Sequence, residues 1–183
     1  MIKRRNSKEA ILDAAEAVVL ESGAAHLSLD VVAQKAGVSK GGLMYNFPTK
    51  KALLKAMIGR MVQQFYTARE KKKEGLDQGP GALLKASILA QLESNEKRNR
   101  MGLSILAVAA NDPDLLEVLR QAHQQNIKEL SESGIKFENA AILSLAADGL
   151  MLNELLRLSP FNADQRNKIK HEIIRLIDKK AGN

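Results

Sequence analysis

The residues best suited to bind another molecule lie together in one short segment near the N-terminus. Ser39 and Lys40 offer a hydroxyl group and an ammonium group, and Lys50 adds a second cation. Tyr45 and Asn46 offer a phenol and an amide, and an amide can pair with the edge of a base. This mixture suits nucleic acid, which presents both phosphates and base edges.

No arrangement typical of an enzyme is present in the sequence. His171 and Glu172 begin the zinc-protease pattern His-Glu-x-x-His, but arginine stands at position 175. Gly79-Pro80-Gly81 lacks the lysine and the spacing of a phosphate-binding loop. The absence of cysteine excludes a disulfide scaffold, a thiolate zinc site and a cysteine nucleophile. We therefore expect no catalysis, no cofactor and no bound metal.

Two short helices must position the binding residues. Ser28 can cap the first helix, Gly37 suits the left-handed conformation that ends it, and Ser39 can cap the second. The pair shares an apolar seam formed by Val32, Val38 and Leu43. This is the layout of a helix-turn-helix, whose second helix enters the major groove of DNA, although an ordinary helical hairpin has the same pattern.

Three residues in this segment are unfavourable for a helix. Gly41 and Gly42 each cost up to roughly 1 kcal/mol relative to alanine inside a helix. Two glycines in succession indicate either close approach of another group or tight packing of a short helix. Lys50 lies in the first turn of the next predicted helix, where a cation is unfavourable, so an external anion would explain it.

The rest of the chain is also predicted to be helical. It is rich in helix-forming residues, has four prolines and contains no alternating run of β-branched residues. Caps and breakers predict nine helices that begin near Ser7, Ser28, Ser39, Thr49, Pro80, Lys97, Pro113, Phe137 and Asn162. No stretch approaches the roughly 18 apolar residues that cross a membrane. The basic N-terminus lacks the apolar region of a signal peptide.

The net charge of +7 is concentrated towards the N-terminus. Residues 1–55 hold nine Lys or Arg and five Asp or Glu, a net charge of +4, and Lys3, Arg4 and Arg5 follow one another. Residues 56–183 carry only +3. A basic patch suits a polyanion, although charge alone fits a solvated surface equally well. We predict a DNA-binding domain over residues 1–55 and a ligand-binding and dimerisation domain over residues 56–183.

The stretch AGVSKGGLMYNFPTKKALL resembles the DNA-binding signature of the TetR (tetracycline repressor-like) transcriptional regulators. The resemblance covers about residues 7–60, and the predicted number of helices agrees with it. It implies an all-α, nine-helix architecture and a cytoplasmic homodimer. Such a dimer would repress by binding a palindromic double-stranded operator and would be released by a small-molecule inducer. The alternatives are an adaptor of the same fold that docks a protein and, less favoured, a helical enzyme or carrier.

The resemblance also implies which residues contact DNA. They are Ser28, Ser39, Lys40, Gly41, Gly42, Met44, Tyr45, Asn46 and Lys50. Lys50 matches a phosphate-binding lysine at the start of the fourth helix. Met44 departs from the pattern, because many members have a tyrosine there that contacts phosphate. Since methionine fills irregular gaps well, we favour a core or partly buried position for Met44 over contact with a thymine methyl.

Ligand contacts are inferred from helical position alone. The candidates are Met61, Phe65, Leu106, His123 and Asp148. A partly buried structural role is favoured for His123, and Asp148 suits a subunit interface or a local hydrogen bond equally well. The aromatic content of 3% disfavours a pocket that stacks flat cations, so an apolar or acidic effector is expected.

The eighth predicted helix is apolar on more than one face and needs cover on both sides. Together with the ninth helix it would form a four-helix interface between two subunits, or close a monomeric bundle. The interface candidates are Leu145, Leu152, Leu155, Ile169, Ile173 and Leu176. We expect a homodimer with no membrane partner.

Overall fold

The computed structural model describes residues 7–93 and 96–181, and every regular element within them is helical. Nine α-helices lie in this part of the chain, which confirms the prediction of an all-α fold. They are α1 Ser7–Ser22, α2 Leu29–Ala36, α3 Lys40–Asn46, α4 Lys50–Glu74, α5 Ala82–Leu92, α6 Glu96–Ala109, α7 Glu117–Ser131, α8 Phe137–Leu155 and α9 Ala163–Ala181. Short 3₁₀ turns occupy Ala24–His26 and Pro113–Leu116. None of the described helices combines the length and apolarity needed to cross a bilayer.

Several features expected from the sequence lie outside the described residues. They are the basic run Lys3, Arg4 and Arg5, then Asn6, which by residue type could cap the first helix in place of Ser7, and Ser94, near which the sequence predicts the end of the fifth helix.

The chain forms two compact units, and α4 contributes residues to both. The first unit draws on residues 1–61 and 95–119, and the second on residues 62–94 and 120–183. Sequence had suggested a simple division near residue 55. The structure instead groups α6 with the N-terminal helices, because Met101 and Ile105 are buried in the same cluster as Ile11. A functional division near residue 55 stays a prediction.

The first unit has a core built from apolar stripes of its helices. Ile11, Val18 and Val19 of α1 are buried, and their spacing places them on one face of the helix. The seam between α2 and α3 is also confirmed, since Val32 and Leu43 are buried and Val38 packs against the same cluster. Further large core residues of this unit come from the first half of α4 and from α6.

The second unit has a separate core between α5, α8 and α9. Leu84 and Ile88 of α5 pack with Leu143 and Ala147 of α8 and with Ile177 of α9. The buried set is completed by Leu130 of α7, Ile135, Ala140 of α8 and Ile173 of α9. The apolar positions of α8 in this core recur every three or four residues, which fixes which side of α8 faces inwards.

Two helix starts and one helix end differ from the sequence prediction. Helix α5 begins at Ala82 after Gly81, whose φ is 88°, so Pro80 lies in the loop and not in the first helical turn. Pro113 opens a 3₁₀ turn and α7 begins only at Glu117. Helix α8 ends at Leu155 and not near Leu158, because Arg157 takes a φ of 56° and the Leu158 amide bonds back to the Asn153 carbonyl.

Candidate nucleic-acid interface

The start of α2 and the start of α3 are each fixed by a serine. Ser28 Oγ accepts a hydrogen bond from the amide of Val31 at 3.2 Å. Ser39 Oγ accepts one from the amide of Gly42 at 3.1 Å. Between the helices Gly37 has a φ of 67°, a left-handed conformation that glycine adopts at no steric cost. These local contacts confirm the predicted caps and turn.

The buried side of α3 determines which of its residues face outwards. Leu43 and Phe47 are buried in the core of the first unit. Lys40, Gly41, Met44 and Tyr45 are exposed. Tyr45 is 90% exposed, so its whole ring and hydroxyl group are available to another molecule. We call these four residues the outer face of α3.

Met44 corrects the sequence interpretation. A core or partly buried position was favoured, but Met44 is 43% exposed. The reason is helical geometry, because the neighbouring Leu43 occupies the inward position and turns Met44 towards solvent. Met44 therefore belongs to the same surface as Lys40 and Tyr45.

The two glycines of α3 have different surroundings. A Cβ atom at Gly42 would lie 3.2 Å from Ser39 Oγ, which is tighter than ordinary contact. Gly42 is therefore explained by the serine cap. A Cβ atom at Gly41 would meet no atom within 4 Å, so nothing in the described chain requires glycine there. Close approach of an external group to Gly41 stays a prediction.

Two polar side chains of α3, Lys40 and Asn46, already have partners within the first unit. Lys40 Nζ lies 2.9 Å from Asp30 Oδ1, in an ion pair that is largely exposed. Asn46 Nδ2 donates to the Gly42 carbonyl at 2.9 Å. Exposed ion pairs contribute little to stability, so Lys40 can exchange Asp30 for a phosphate at small cost.

Lys50 makes a contact that the sequence analysis did not foresee. Its Nζ donates to the carbonyl of Ala25 at 2.8 Å and so joins the start of α4 to the first 3₁₀ turn. Thr49 Oγ1 accepts a hydrogen bond from the Ala52 amide at 3.0 Å, which confirms the predicted cap. An ammonium has three donors, so a bond to one carbonyl is compatible with a further acceptor such as phosphate.

Sequence reasoning missed two charge clusters that hold the first unit together. Arg60 of α4 donates to Asp13 of α1 at 2.5 Å and lies 3.3 Å from Glu16. Lys51 of α4 donates to Asp114 at 2.8 Å and to Asp112 at 2.9 Å, and these hydrogen bonds raise the pKa of Lys51. Their partners are 44 to 63 residues away in sequence, so no local pattern reveals them.

The five candidate ligand residues are divided between the two units. Met61 packs against the core of the first unit, and Leu106 is an exposed residue of the same unit. The other three belong to the second unit. Phe65 is half-buried against the edge of the Tyr66 ring, and Asp148 accepts a hydrogen bond from Gln91 at 2.5 Å.

The histidines occupy surface positions. His123, for which a partly buried role was weighed, is exposed on α7. His171, expected on a solvated helix face, is exposed on α9. His26 lies exposed in the first 3₁₀ turn.

The second unit contains a depression of about 630 Å³ between α4 and α7. Its lining residues, which include Tyr66, Arg69 and Glu129, all carry polar groups, but carbon atoms form more of the lining surface than polar atoms do. Arg69 is buried, donates to Glu129 Oε2 at 2.8 Å and lies 4.7 Å from the centre of the Tyr66 ring. Burial acts to raise the pKa of Glu129, but hydrogen bonds from Gln125 and Arg69 outweigh burial and lower it. These groups bind one another, so their observed role is to join α4 to α7.

The predicted interface residues of α9 require a correction. Ile173 is only 5% exposed in the single chain, because it packs into the core of the second unit. Ile169 and Leu176 are partly buried against the same core. Ile173 is therefore not available to a second subunit.

The predicted interface residues of α8, in contrast, are exposed or half-buried. Leu145 and Leu152 are exposed, and Leu155 is half-buried. Ile142 and Leu156 are exposed as well and continue the same line with spacings of three and four residues. We call Ile142, Leu145, Gly149, Leu152 and Leu156 the outer stripe of α8. This spacing is visible in the sequence and would have identified Ile142 and Leu156.

Comparison with known proteins agrees with this geometry. Residues 11–57 match the family described as bacterial regulatory proteins, tetR family, and this range contains both α2 and α3. Residues 81–178 match the family described as Tetracyclin repressor-like, C-terminal domain, so that model alone covers more than half of the chain. The chain belongs to the TetR family. As a TetR-family protein it is a transcriptional regulator with a DNA-binding helix-turn-helix, and not an enzyme.

Individual known proteins match over almost the whole chain. The HTH-type transcriptional regulator BetI of Ectopseudomonas mendocina (strain ymp) is 27% identical, over 98% of this chain and 95% of that protein. A transcriptional regulator from Rhodococcus sp. Rha1 has a TM-score of 0.71 at 27% identity, over 96% of each chain. The multidrug binding protein EbrR complexed with imidazole has a TM-score of 0.70 at 22% identity, over 93% of this chain and 94% of that chain.

Proposed function

We propose that this regulator is a homodimeric repressor that binds a palindromic operator and is released by a small-molecule effector. The DNA-contacting part would be residues 1–55, with the outer face of α3 in the major groove. The observation that carries the DNA-binding half of the proposal is the outward side of α3. Lys40, Met44 and Tyr45 are all exposed on one short helix whose opposite side is anchored by Leu43.

The contacts with phosphate would come from the residues around this face. Ser28 and Ser39 place hydroxyl groups at the starts of α2 and α3, where helix dipoles favour anions. Lys40 and Lys50 supply cations, and Asn46 and Tyr45 supply further polar groups. Gly41 and Gly42 would allow the DNA backbone or a base edge to come near the helix.

The outer stripe of α8 supports the homodimer. Four large apolar residues lie exposed along one line, and contiguous apolar surface of this kind commonly marks an interaction site. Gly149 lies in the middle of the stripe, and a Cβ atom there would meet no atom within 4 Å. A second α8 can therefore approach closely at the centre of the stripe, as an isologous interface requires. Leu145, Leu152 and Leu155 stay assigned to this interface.

A twofold dimer would present two copies of α3 to DNA. Two recognition helices related by a twofold axis read half-sites separated by about one helical turn or a multiple of it. The operator should therefore be close to a palindrome. A cytoplasmic location follows from the same proposal, because the operator is on DNA.

The effector would bind within residues 56–183, through Phe65, His123 and Asp148 and with Met61 and Leu106 as weaker candidates. EbrR, which has a similar fold, is described as a multidrug binding protein. For this chain we propose an apolar or acidic effector. A DNA-bound adaptor that senses no small molecule is the alternative, and the internal bonding of the polar groups that line the depression between α4 and α7 is the observation that favours it.

The DNA-binding proposal is tested by selecting duplexes from a random-sequence pool with the full chain, followed by titration at several salt concentrations. We expect a palindromic consensus and an affinity that falls steeply with salt. If no duplex is bound in a salt-dependent way, the proposal is wrong. Native mass spectrometry of the purified protein tests the effector. A bound small molecule that lowers DNA affinity supports induction, and an added mass that leaves DNA affinity unchanged contradicts it.

A further inference from the structure

The outer face of α3 offers few groups that can read a base by hydrogen bonding. Helix α3 contains no arginine, glutamine, aspartate or glutamate. Asn46 is half-buried, and its Nδ2 is engaged by the Gly42 carbonyl. Lys40 is a flexible point charge that pairs with Asp30. Arginine and glutamine, which bond bidentately to guanine and adenine in the major groove, are therefore missing from α3, and of the remaining base-reading side chains only Lys40 is easily released from its partner.

Met44 has the opposite character. It lies between Lys40 and Tyr45 on the outer face and is 43% exposed, although it is apolar. Gly41 is one helical turn away and has no side chain, and a Cβ atom there would have no neighbour within 4 Å. The Met44 side chain consequently has open space beside it and can bend towards a shallow apolar target.

The major groove presents one apolar group, the 5-methyl group of thymine. We propose that Met44 is a specificity-determining residue that recognises a thymine through this methyl group. Each operator half-site then contains a thymine opposite Met44. This inference rests on the DNA-binding function proposed above and specifies one base that the function requires.

The size of the effect follows from the burial of a single methyl group. Removing one buried carbon from an apolar contact weakens it by roughly four-fold. Replacing the thymine by deoxyuracil removes only the methyl group and keeps the base pair. We therefore expect about four-fold weaker binding at one position in each half-site, and little change at the other thymines.

The test uses the full chain and the duplex selected above, with each thymine replaced in turn by deoxyuracil. Fluorescence anisotropy at one fixed salt concentration measures the affinity of the native chain, Met44→Ala and Met44→Leu. The native chain should bind about four-fold more weakly when deoxyuracil replaces one particular thymine in each half-site. Met44→Ala should bind thymine and deoxyuracil equally there, and Met44→Leu should keep the preference. Because Met44 is exposed, both variants are expected to fold, which thermal melting verifies.

The outcomes separate this inference from the function on which it rests. Absence of salt-dependent binding to any duplex would overturn the DNA-binding function itself. Tight binding with no sensitive thymine would overturn the role of Met44 and leave DNA binding intact. A sensitive thymine that stays equally sensitive in Met44→Ala would also overturn it, because another group would then contact the methyl.

Discussion

Replacement of Leu145 by glutamate should separate the two subunits of the proposed dimer. Leu145 is 68% exposed and lies near the middle of the outer stripe of α8. Complete burial of a leucine side chain contributes roughly 1.5–3 kcal/mol, so covering this one contributes about 1–2 kcal/mol in each subunit. Because twofold symmetry places Leu145 of both subunits in the interface, loss of both contacts weakens dimerisation by about 2–4 kcal/mol. This corresponds to a rise of about 30- to 900-fold in the dissociation constant of the dimer. Two buried carboxylates would weaken the dimer further.

Sedimentation equilibrium over a wide range of protein concentration measures the change. Val31→Glu is the matched control, because Val31 is also an exposed apolar residue but lies on α2. The control should sediment like the native chain. A Leu145→Glu protein that melts like the native chain and dimerises with the same dissociation constant would refute the reasoning. The Leu145→Glu variant should also lose affinity for a duplex with two half-sites and keep its affinity for a duplex with one half-site.

Three further predictions concern single side chains. Lys50→Ala should weaken binding to all duplexes alike and lower the slope of log affinity against log salt by about one for each phosphate that the protein no longer neutralises. Anisotropy titrations measure the slope, and an unchanged slope contradicts binding of phosphate by Lys50. Arg157→Gly should raise the free energy of unfolding in urea by roughly 1 kcal/mol, because Arg157 has a φ of 56°; equal stability would show that arginine carries no penalty there. The pKa of Glu129 is lowered from 4.5 in the folded chain. The charged carboxylate therefore adds fully to the free energy of unfolding above pH 4.5, and this contribution disappears as the pH falls through the folded pKa. Urea unfolding should therefore find Glu129→Gln less stable than the native chain near neutral pH, with a gap that narrows in acid; a gap independent of pH is the contrary result.

Helix starts set by local chemistry were predictable from the sequence. Ser28, Ser39 and Thr49 each cap a helix by bonding an amide three residues later, and Gly37 ends α2. Such contacts involve only a few neighbouring residues, so residue type and spacing are sufficient. The spacing alone did not distinguish a helix-turn-helix from an ordinary helical hairpin. The family resemblance made this distinction and so indicated the function.

Features set by distant residues were not predictable in this way. The exposure of Met44 depends on how Leu43 meets the core, and the burial of Ile173 depends on α5 and α8. The Lys50 bond to Ala25 spans 25 residues, and α6 joins the first unit through contacts with α1. One sequence contains no record of which distant surfaces meet, and so Ile173 was assigned to the dimer interface although it packs within its own chain.

The first unit has a consequence for how the protein is made on the ribosome. Its core needs Met101, Ile105 and Leu115, yet the whole of α5, which belongs to the other unit, is synthesised before them. During translation the helix-turn-helix must therefore wait for the chain to grow well beyond α4 before its core can close. For the same reason, a fragment cut near residue 55 lacks part of its own interior, and a chimaera that borrows this DNA-binding unit must also carry α6.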